Sequence, residues 1–360
     1  MTSPRMLNMA HKTAYTRAGV NIDLGNQVKQ TLPEALASTQ RREVLGEVGG
    51  FGGLFAAGFR GYKKPVLVSS VDGVGTKLKV AFMTRRHDTI GEDLVNHCVN
   101  DILVLGAEPL FFLDYIGAGT LKPKVFDAII RGFVRGCKAN DCALIGGETA
   151  QMPGFYQAGE YDVSGTIVGV VDQSRMLDGK KIKSGDCVIG VASSGLHTNG
   201  YSLARSILFD KAGLKPSSRL VDLGGRVDDA LMAVHTSYNK VVHRLLKRFN
   251  LPGKPLQIKA MAHITGGGFQ DNIPRNLPEN LDVRIQKESW QIPPLFKYLQ
   301  REGKVDEREM FHVFNMGIGL TITVAASKAA PVLTALRRGG HPSWVIGDVV
   351  PGCGEVIFSR

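Results

Sequence analysis

Pro65-Val66-Leu67-Val68-Ser69-Ser70-Val71-Asp72-Gly73-Val74-Gly75-Thr76-Lys77 starts as an apolar run and then breaks into glycine, acid, hydroxyl and amine. The run over 65–70 predicts a short buried strand. Its tip carries a carboxylate, flexible backbone amides, a hydroxyl and an ammonium. Those groups suit a metal-bound phosphate: oxygen ligands for Mg²⁺, N–H donors and a cation for the anion. An ordinary Asp-Gly turn with a solvated lysine would use the same residues. The repetition of the pattern downstream favours the phosphate reading.

Ala143-Leu144-Ile145-Gly146-Gly147-Glu148-Thr149 again joins an apolar strand to glycines, a carboxylate and a hydroxyl. Cys187–Ala192 predicts a buried strand that opens into Ser193-Ser194-Gly195-Leu196-His197-Thr198-Asn199-Gly200, with a helix from Tyr201. His263-Ile264-Thr265-Gly266-Gly267-Gly268-Phe269 precedes Gln270–Arg275 in the same way. Helix N-termini after such loops offer amides to anions. His197 lies in a loop and not on an apolar face, which marks it as a site candidate. Gly49-Gly50-Phe51-Gly52-Gly53-Leu54-Phe55 suits neither a stable helix nor a central strand; it is either a loop that closes over a ligand or a packed bulge, and four glycines favour the loop.

Residues 88–105 predict a helix, with Ile90, Leu94, Val95, Cys98, Ile102 and Leu105 at helical spacing. Position 97 shares a broad face with Asp93, Asn100 and Asp101. Charge amid an apolar pattern is costly to bury without a partner, so either a metal or a lysine is expected there or the face is an exposed polar stripe with an ordinary helix salt bridge. Asp72, Asp101 and Glu148, from three separate elements, form a reasonable Mg²⁺–nucleotide constellation.

The remaining pattern predicts a weak helix at 27–38, strands at 110–115 and 161–171, and a helix at 123–139. Helices are expected over 228–249, a strand at 313–324, a helix at 327–338, and strands at 344–349 and 355–358. The composition shifts over 172–186, which divides the chain into 1–172 and 173–360. The expected fold class is α/β (or α+β) in two domains.

Composition narrows the function. The net charge is +11, but the signs are interspersed and no aromatic-basic interleaving occurs. The charge therefore suits solubility and anionic substrates better than nucleic acid. The five cysteines, at 98, 137, 142, 187 and 353, include no C-x-x-C pair, so neither a zinc site nor a disulfide framework is supported. No apolar leader and no stretch of 18 apolar residues occurs, so a cytoplasmic protein without a membrane span is expected. Walker A and G-x-G-x-x-G motifs are absent, so ATP would need a different cradle.

These motifs, taken in order, resemble the AIR synthetase (phosphoribosylformylglycinamidine cyclo-ligase) family over nearly the whole chain. They include Ala18-Gly19-Val20, Gly49 to Phe55, Asp72 to Lys77, His87-Asp88-Thr89-Ile90-Gly91 and Cys98-Val99-Asn100-Asp101. Gly106 to Tyr115, Gly146 to Ala150, Met152-Pro153-Gly154, His197 to Tyr201, Thr265 to Phe269 and Asn315-Met316-Gly317 continue the match.

The resemblance implies ATP-dependent closure of formylglycinamidine ribonucleotide to aminoimidazole ribonucleotide, with ADP and phosphate released. It also implies a homodimer joined through N-terminal sheets, with ATP near that interface. It marks His197, Lys77 and Asp101 as catalytic, and Asp72, Asp101 and Glu148 as metal ligands. ATP contacts are expected from Gly49, Gly50, Phe51, Gly52, Gly53, Asp72, Gly73, Gly75, Thr76, Lys77, Asp93, Asn100 and Glu148. Substrate contacts are expected from Ser194, Gly195, His197, Asn199, Thr265, Gly266, Gly267 and Gly268. The chain departs from the family pattern at Thr16, Asn21, Gln151 and His235–Tyr238. A related enzyme phosphorylating another ribonucleotide, or a non-catalytic nucleotide-binding protein, would share much of this pattern.

Overall fold

The computed structural model describes residues 32–45, 52–120 and 122–359. Helix α1 (Leu32–Ala37) precedes a short antiparallel pair, β1 (Val44–Leu45) and β2 (Leu54–Phe55). A four-stranded sheet follows, built from β3 (Pro65–Gly73), β4 (Glu108–Ala118), β5 (Ala143–Gln151) and β6 (Tyr161–Asp172). Its order is β3-β6-β4-β5, and only β4 and β5 run parallel. Helix α2 (Lys77–Thr84) leaves the tip of β3. Helices α3 (Ile90–Leu103) and α4 (Pro123–Ala139) form a layer that packs on one sheet face.

The two layered helices meet at glycines. A Cβ on Gly91 would sit 2.3 Å from the Ile129 carbonyl oxygen, and one on Gly132 would sit 2.8 Å from that of Asp88. This close approach lets α3 lie side by side with α4 on the sheet. Its apolar residues Leu94, Val95, Cys98, Val99 and Ile102 are buried there, and its polar positions point to the second half of the chain.

That half contains β7 (Cys187–Ala192), α5 (Tyr201–Arg205) and a π-helical continuation, Ser206–Lys211. Next come a small hairpin, β8 (Arg219–Leu220) with β9 (Gly225–Arg226), then α6 (Val227–Leu231), α7 (Asn239–Phe249) and β10 (Ile258–His263). The chain continues through α8 (Gly268–Asn272), β11 (Leu281–Gln286), α9 (Pro294–Gly303) and α10 (Glu307–Val313). It finishes with β12 (Ile318–Val324), α11 (Ala329–Arg338), β13 (Ser343–Pro351) and β14 (Val356–Ser359). The six-stranded sheet runs β10-β12-β7-β13-β11-β14, with β11 and β14 its one parallel pair.

The expected two-domain α/β (or α+β) fold is present, and several elements differ from expectation. The stretch 228–249 is two helices separated by an irregular segment, 232–238, which the site uses. Residues 307–313, near the start of the predicted strand 313–324, are helical. Strand β10 is absent from the sequence reading because Lys259 interrupts its apolar run. The structure buries that lysine against Asp186, with Nζ 2.6 Å from Oδ1, so the charge is compensated inside a fully buried strand. No helix among the described residues is long and apolar enough to cross a membrane.

Candidate active site

The outer turns of α3 face β10 and the 193–200 and 233–238 loops. Between β3, α3, β10 and the segment after the glycine loop lies a cleft of about 360 Å³. Asp72, His97, Asp101 and His263 line it, with Ser70, Thr265, Asn272 and Arg275 around them. This size suits a nucleotide-like ligand.

A connected polar ring forms its wall. His97 Nε2 lies 2.8 Å from Asp72 Oδ2 and 3.8 Å from Asp101 Oδ2. The other nitrogen of His97, Nδ1, is 2.6 Å from the Thr198 hydroxyl, which reaches His235 Nδ1 at 3.4 Å. His235 Nε2 meets His263 Nε2 at 3.0 Å, and His263 Nδ1 meets Asp101 Oδ1 at 2.8 Å. Ser70 donates to the other oxygen of Asp101 at 3.1 Å. With His97 as the imidazolium and the other rings neutral, every contact in the ring has one donor and one acceptor.

The electrostatics agree with that assignment. Burial opposes charge on His97, but its hydrogen bond to Asp72 and the charges of Asp101 and Asp72 outweigh it and raise its pKa. Burial pulls His263 down, so it stands as a neutral ring donating to an ionised Asp101. His235 and His197 are pulled well below the ordinary histidine range, first by burial and then by neighbouring imidazoles and Lys77.

Of the expected site residues, the structure gathers Asp72, Asp101 and Thr265 at the cleft. Lys77 was expected at the phosphates and is instead enclosed. It pairs with Asp93 at 2.8 Å, both side chains fully buried, and donates to the carbonyls of Ala233 (2.8 Å) and His197 (3.3 Å). Those three acceptors use all its N–H groups. Asp93 and Asn100 likewise face the 233–238 segment. Asp93 accepts from His235 N at 2.8 Å, while Asn100 donates to Thr236 O at 2.8 Å and accepts from Tyr238 N at 3.1 Å. The lysine that the sequence pattern called for beside a helix acid is therefore Lys77, and the acid is Asp93.

His197, the expected catalytic imidazole, is 1% exposed and stacks on His235 with ring centroids 4.0 Å apart. Its Nε2 accepts from Ser194 N at 3.2 Å and Thr236 N at 3.4 Å, and its φ of 61° is left-handed. It stands one ring behind the cleft. The Ser194–Asn199 loop does meet the second glycine loop: a Cβ on Gly266 would lie 3.4 Å from Asn199 Oδ1. Asn315 holds Gly195 from behind at 2.8 Å, and Asn272 binds the carbonyls of Gly266 and Gly268. Gly267 and Gly268 have positive φ, and a Cβ on Gly268 would overlap the Phe311 carbonyl. The helix after this loop has only five residues, shorter than the anion-binding helix expected from the sequence.

Glu148 does not join Asp72 and Asp101. It pairs across the sheet with Tyr115, which faces Ser164, which faces Gly73. Two strands thus intervene, a separation of roughly 14 Å at ordinary strand spacing. The three-acid constellation is not assembled within one chain. Gly73 donates to Asp72 Oδ1 at 2.6 Å, Gly75 has positive φ, and Thr76 contacts Ser202 at 3.0 Å across the domains. Gly53 packs on Ile145 and Gly52 is open, while Gly49, Gly50 and Phe51 lie outside the described residues.

Residues 56–171 match the AIR synthase related protein, N-terminal domain, and residues 183–359 match the corresponding C-terminal domain. The chain belongs to the AIR synthase related family. It is 47% identical over 349 residues to a phosphoribosylformylglycinamidine cyclo-ligase of Alkaliphilus metalliredigens, covering 97% of this chain and 99% of that one. It is 49% identical over 341 residues to that of Geobacillus thermodenitrificans, covering 95% and 96%. Among solved structures, the thiamine-monophosphate kinase of Stenotrophomonas maltophilia K279a superposes with a TM-score of 0.67 at 17% identity, over 91% of this chain and 95% of that one. Hydrogenase maturation protein HypE in complex with ATP superposes at 0.64 and 17%, over 93% and 90%. At that identity these two share the fold.

Of this family member's cleft lining, Ser70, His97, His263 and Arg275 were not singled out as site residues from the sequence, nor were Thr198 and His235, buried behind it. His97 had a usable signal, since it lies four residues from both Asp93 and Asp101 on one helix face. The approach of His235 and His263 to it comes from elements more than 130 residues away, and no local pattern carries that.

Proposed function

We propose that this chain closes formylglycinamidine ribonucleotide to aminoimidazole ribonucleotide with consumption of ATP, as a Mg²⁺-dependent cytoplasmic homodimer. The observation that carries this reading is near-full-length identity of 47–49% to cyclo-ligases, in a chain whose interdomain cleft presents two carboxylates. In the proposed reaction the terminal phosphoryl of ATP passes to the formyl amide oxygen. The amidine nitrogen then attacks the activated carbon, and phosphate leaves with that oxygen.

Asp72 and Asp101 fit a Mg²⁺ role, because each carboxylate has lone pairs beyond its present partners and both face the cleft. Bound Mg²⁺ would neutralise phosphate charge there. Arg275, an exposed cation on the cleft wall, is placed for an anionic substrate group. His263 is the ring set to touch substrate, and His197 acts through the loop it anchors. Glu148, at the far sheet edge, is assigned no role at this ion.

The homodimer is supported by the sheet face away from α3 and α4. Leu67 is 60% exposed and Val71 66% exposed on β3. Val71 lies in a row with Thr166 and Leu113. An apolar face of this kind marks an interaction surface.

The test is direct. Purified protein with ATP, Mg²⁺ and formylglycinamidine ribonucleotide is expected to yield aminoimidazole ribonucleotide and equal ADP. ADP without that product would point to phosphorylation of another ribonucleotide. No substrate-stimulated ADP would point to a non-catalytic nucleotide-binding protein.

A further inference from the structure

We infer that the cleft wall forms a first-row transition-metal site, with His97, His263, Asp101 and Asp72 as ligands, that takes Co²⁺ or Zn²⁺ in preference to Mg²⁺. One ligand atom each from His97, Asp101 and His263 lie within 4.8 Å of one another. Asp72 Oδ2 completes the set at 2.8 Å from His97 Nε2. Mg²⁺ favours oxygen and keeps much of its water, whereas imidazole nitrogen suits zinc, cobalt and nickel. Two rings facing two carboxylates is therefore a donor set beyond what Mg²⁺–phosphate binding requires.

The outer contacts suit ligation. The second nitrogen of His97 is held by Thr198, that of His263 by His235, and the second oxygen of Asp101 by Ser70. Such partners fix ring orientation and raise ligand basicity. All four ligands line the open cleft, so an ion has an entry path. A second trio, His197, His235 and His263, is equally close but wholly buried and lacks a carboxylate, and His197 Nε2 is taken by backbone N–H groups. Insertion of an ion would release the His97 Nε2 proton and shift that of His263 from Nδ1 to Nε2, with His235 turning to its Nδ1–H tautomer toward Thr198. The inference rests on the proposed function only in that the same cleft would serve the reaction, where such an ion would compete with Mg²⁺.

The full chain, stripped of metal, is titrated with Co²⁺ alone. One ion per chain with visible ligand-field bands is expected, displaced by Zn²⁺ and resistant to a large excess of Mg²⁺. His97→Ala and His263→Ala should each weaken binding about tenfold or more, and Thr198→Val about 10- to 100-fold through the outer contact. His312→Ala, in the exposed pair with Asp271, should leave it unchanged. If the imidazole variants fail to fold, pulsed EPR of the wild-type chain with Mn²⁺ should show nitrogen coupling from imidazole. Absent bands, easy displacement by Mg²⁺, unchanged affinity in both histidine variants, or no nitrogen coupling would overturn the site. Ring closure with Mg²⁺ is assayed separately. Turnover without Co²⁺ bands defeats the metal site alone, and Co²⁺ bands without turnover defeat the proposed reaction alone.

Discussion

Asp93 shows how a residue can read as a ligand and serve as a fastener. Its carboxylate joins buried Lys77 to the backbone of His235, and Lys77 in turn holds the carbonyls of Ala233 and His197. Burial raises the pKa of Asp93 and lowers that of Lys77, and each partner opposes that shift in the other. Such a pair adds little over apolar packing, but losing one member strands a charge. Asp93→Ala should therefore cost about 3–5 kcal/mol in urea unfolding. The double variant Lys77→Met with Asp93→Leu should recover part of that loss by removing the stranded charge, the rest reflecting the His235 N–H and the two carbonyls left without these partners. Equal destabilisation of both proteins would show that the pair is not the fastener.

At the scale of elements, α3 positions the site and α4 positions α3. The contact depends on Gly91 and Gly132, because carbonyl and amide groups of the facing helix occupy the space of a side chain. Gly91→Ala would push the helices apart and should destabilise by about 1–3 kcal/mol or more. Gly58→Ala, with nothing within 4 Å, should stay within about 0.5 kcal/mol of the parent. Equal denaturation midpoints for the two variants would refute the close crossing. Activity should fall with Gly91→Ala even where the protein remains folded, since α3 carries both His97 and Asp101.

At the scale of the molecule, the cleft exists because two sheets are clamped together by a polar seam. Asn96 donates to His235 O at 2.8 Å, Asn140 receives the Ser237 hydroxyl at 2.6 Å, and Asn239 donates to Asn140 O at 3.0 Å. The open face of the first sheet points away from α3 and α4 and is the proposed dimer surface. Val71→Lys should convert a dimer of wild-type chains to monomers in light scattering, with unchanged circular dichroism. A wild-type chain that is monomeric at assay concentration would end that proposal.

The sequence by itself determined the two-part α/β organisation and where its strand-to-glycine loops fall. Strand-ending acids, clustered glycines and the helical spacing of 90–103 are local signals that follow from backbone sterics and burial. Two of the acids it singled out, Asp72 and Asp101, line one cleft. The tertiary structure decided which polar residues face the cleft and which fasten its walls. Lys77, Asp93 and Asn100 turned inward because a partner loop more than 130 residues away supplies their hydrogen bonds. Glu148 fell away because strand order places two strands between it and Asp72. The histidine ring appeared only in the fold, since its members come from α3, the 233–238 segment and β10. The Asp72–Lys77 stretch thus divides in function: its acid faces the cleft, and its lysine closes the seam behind it.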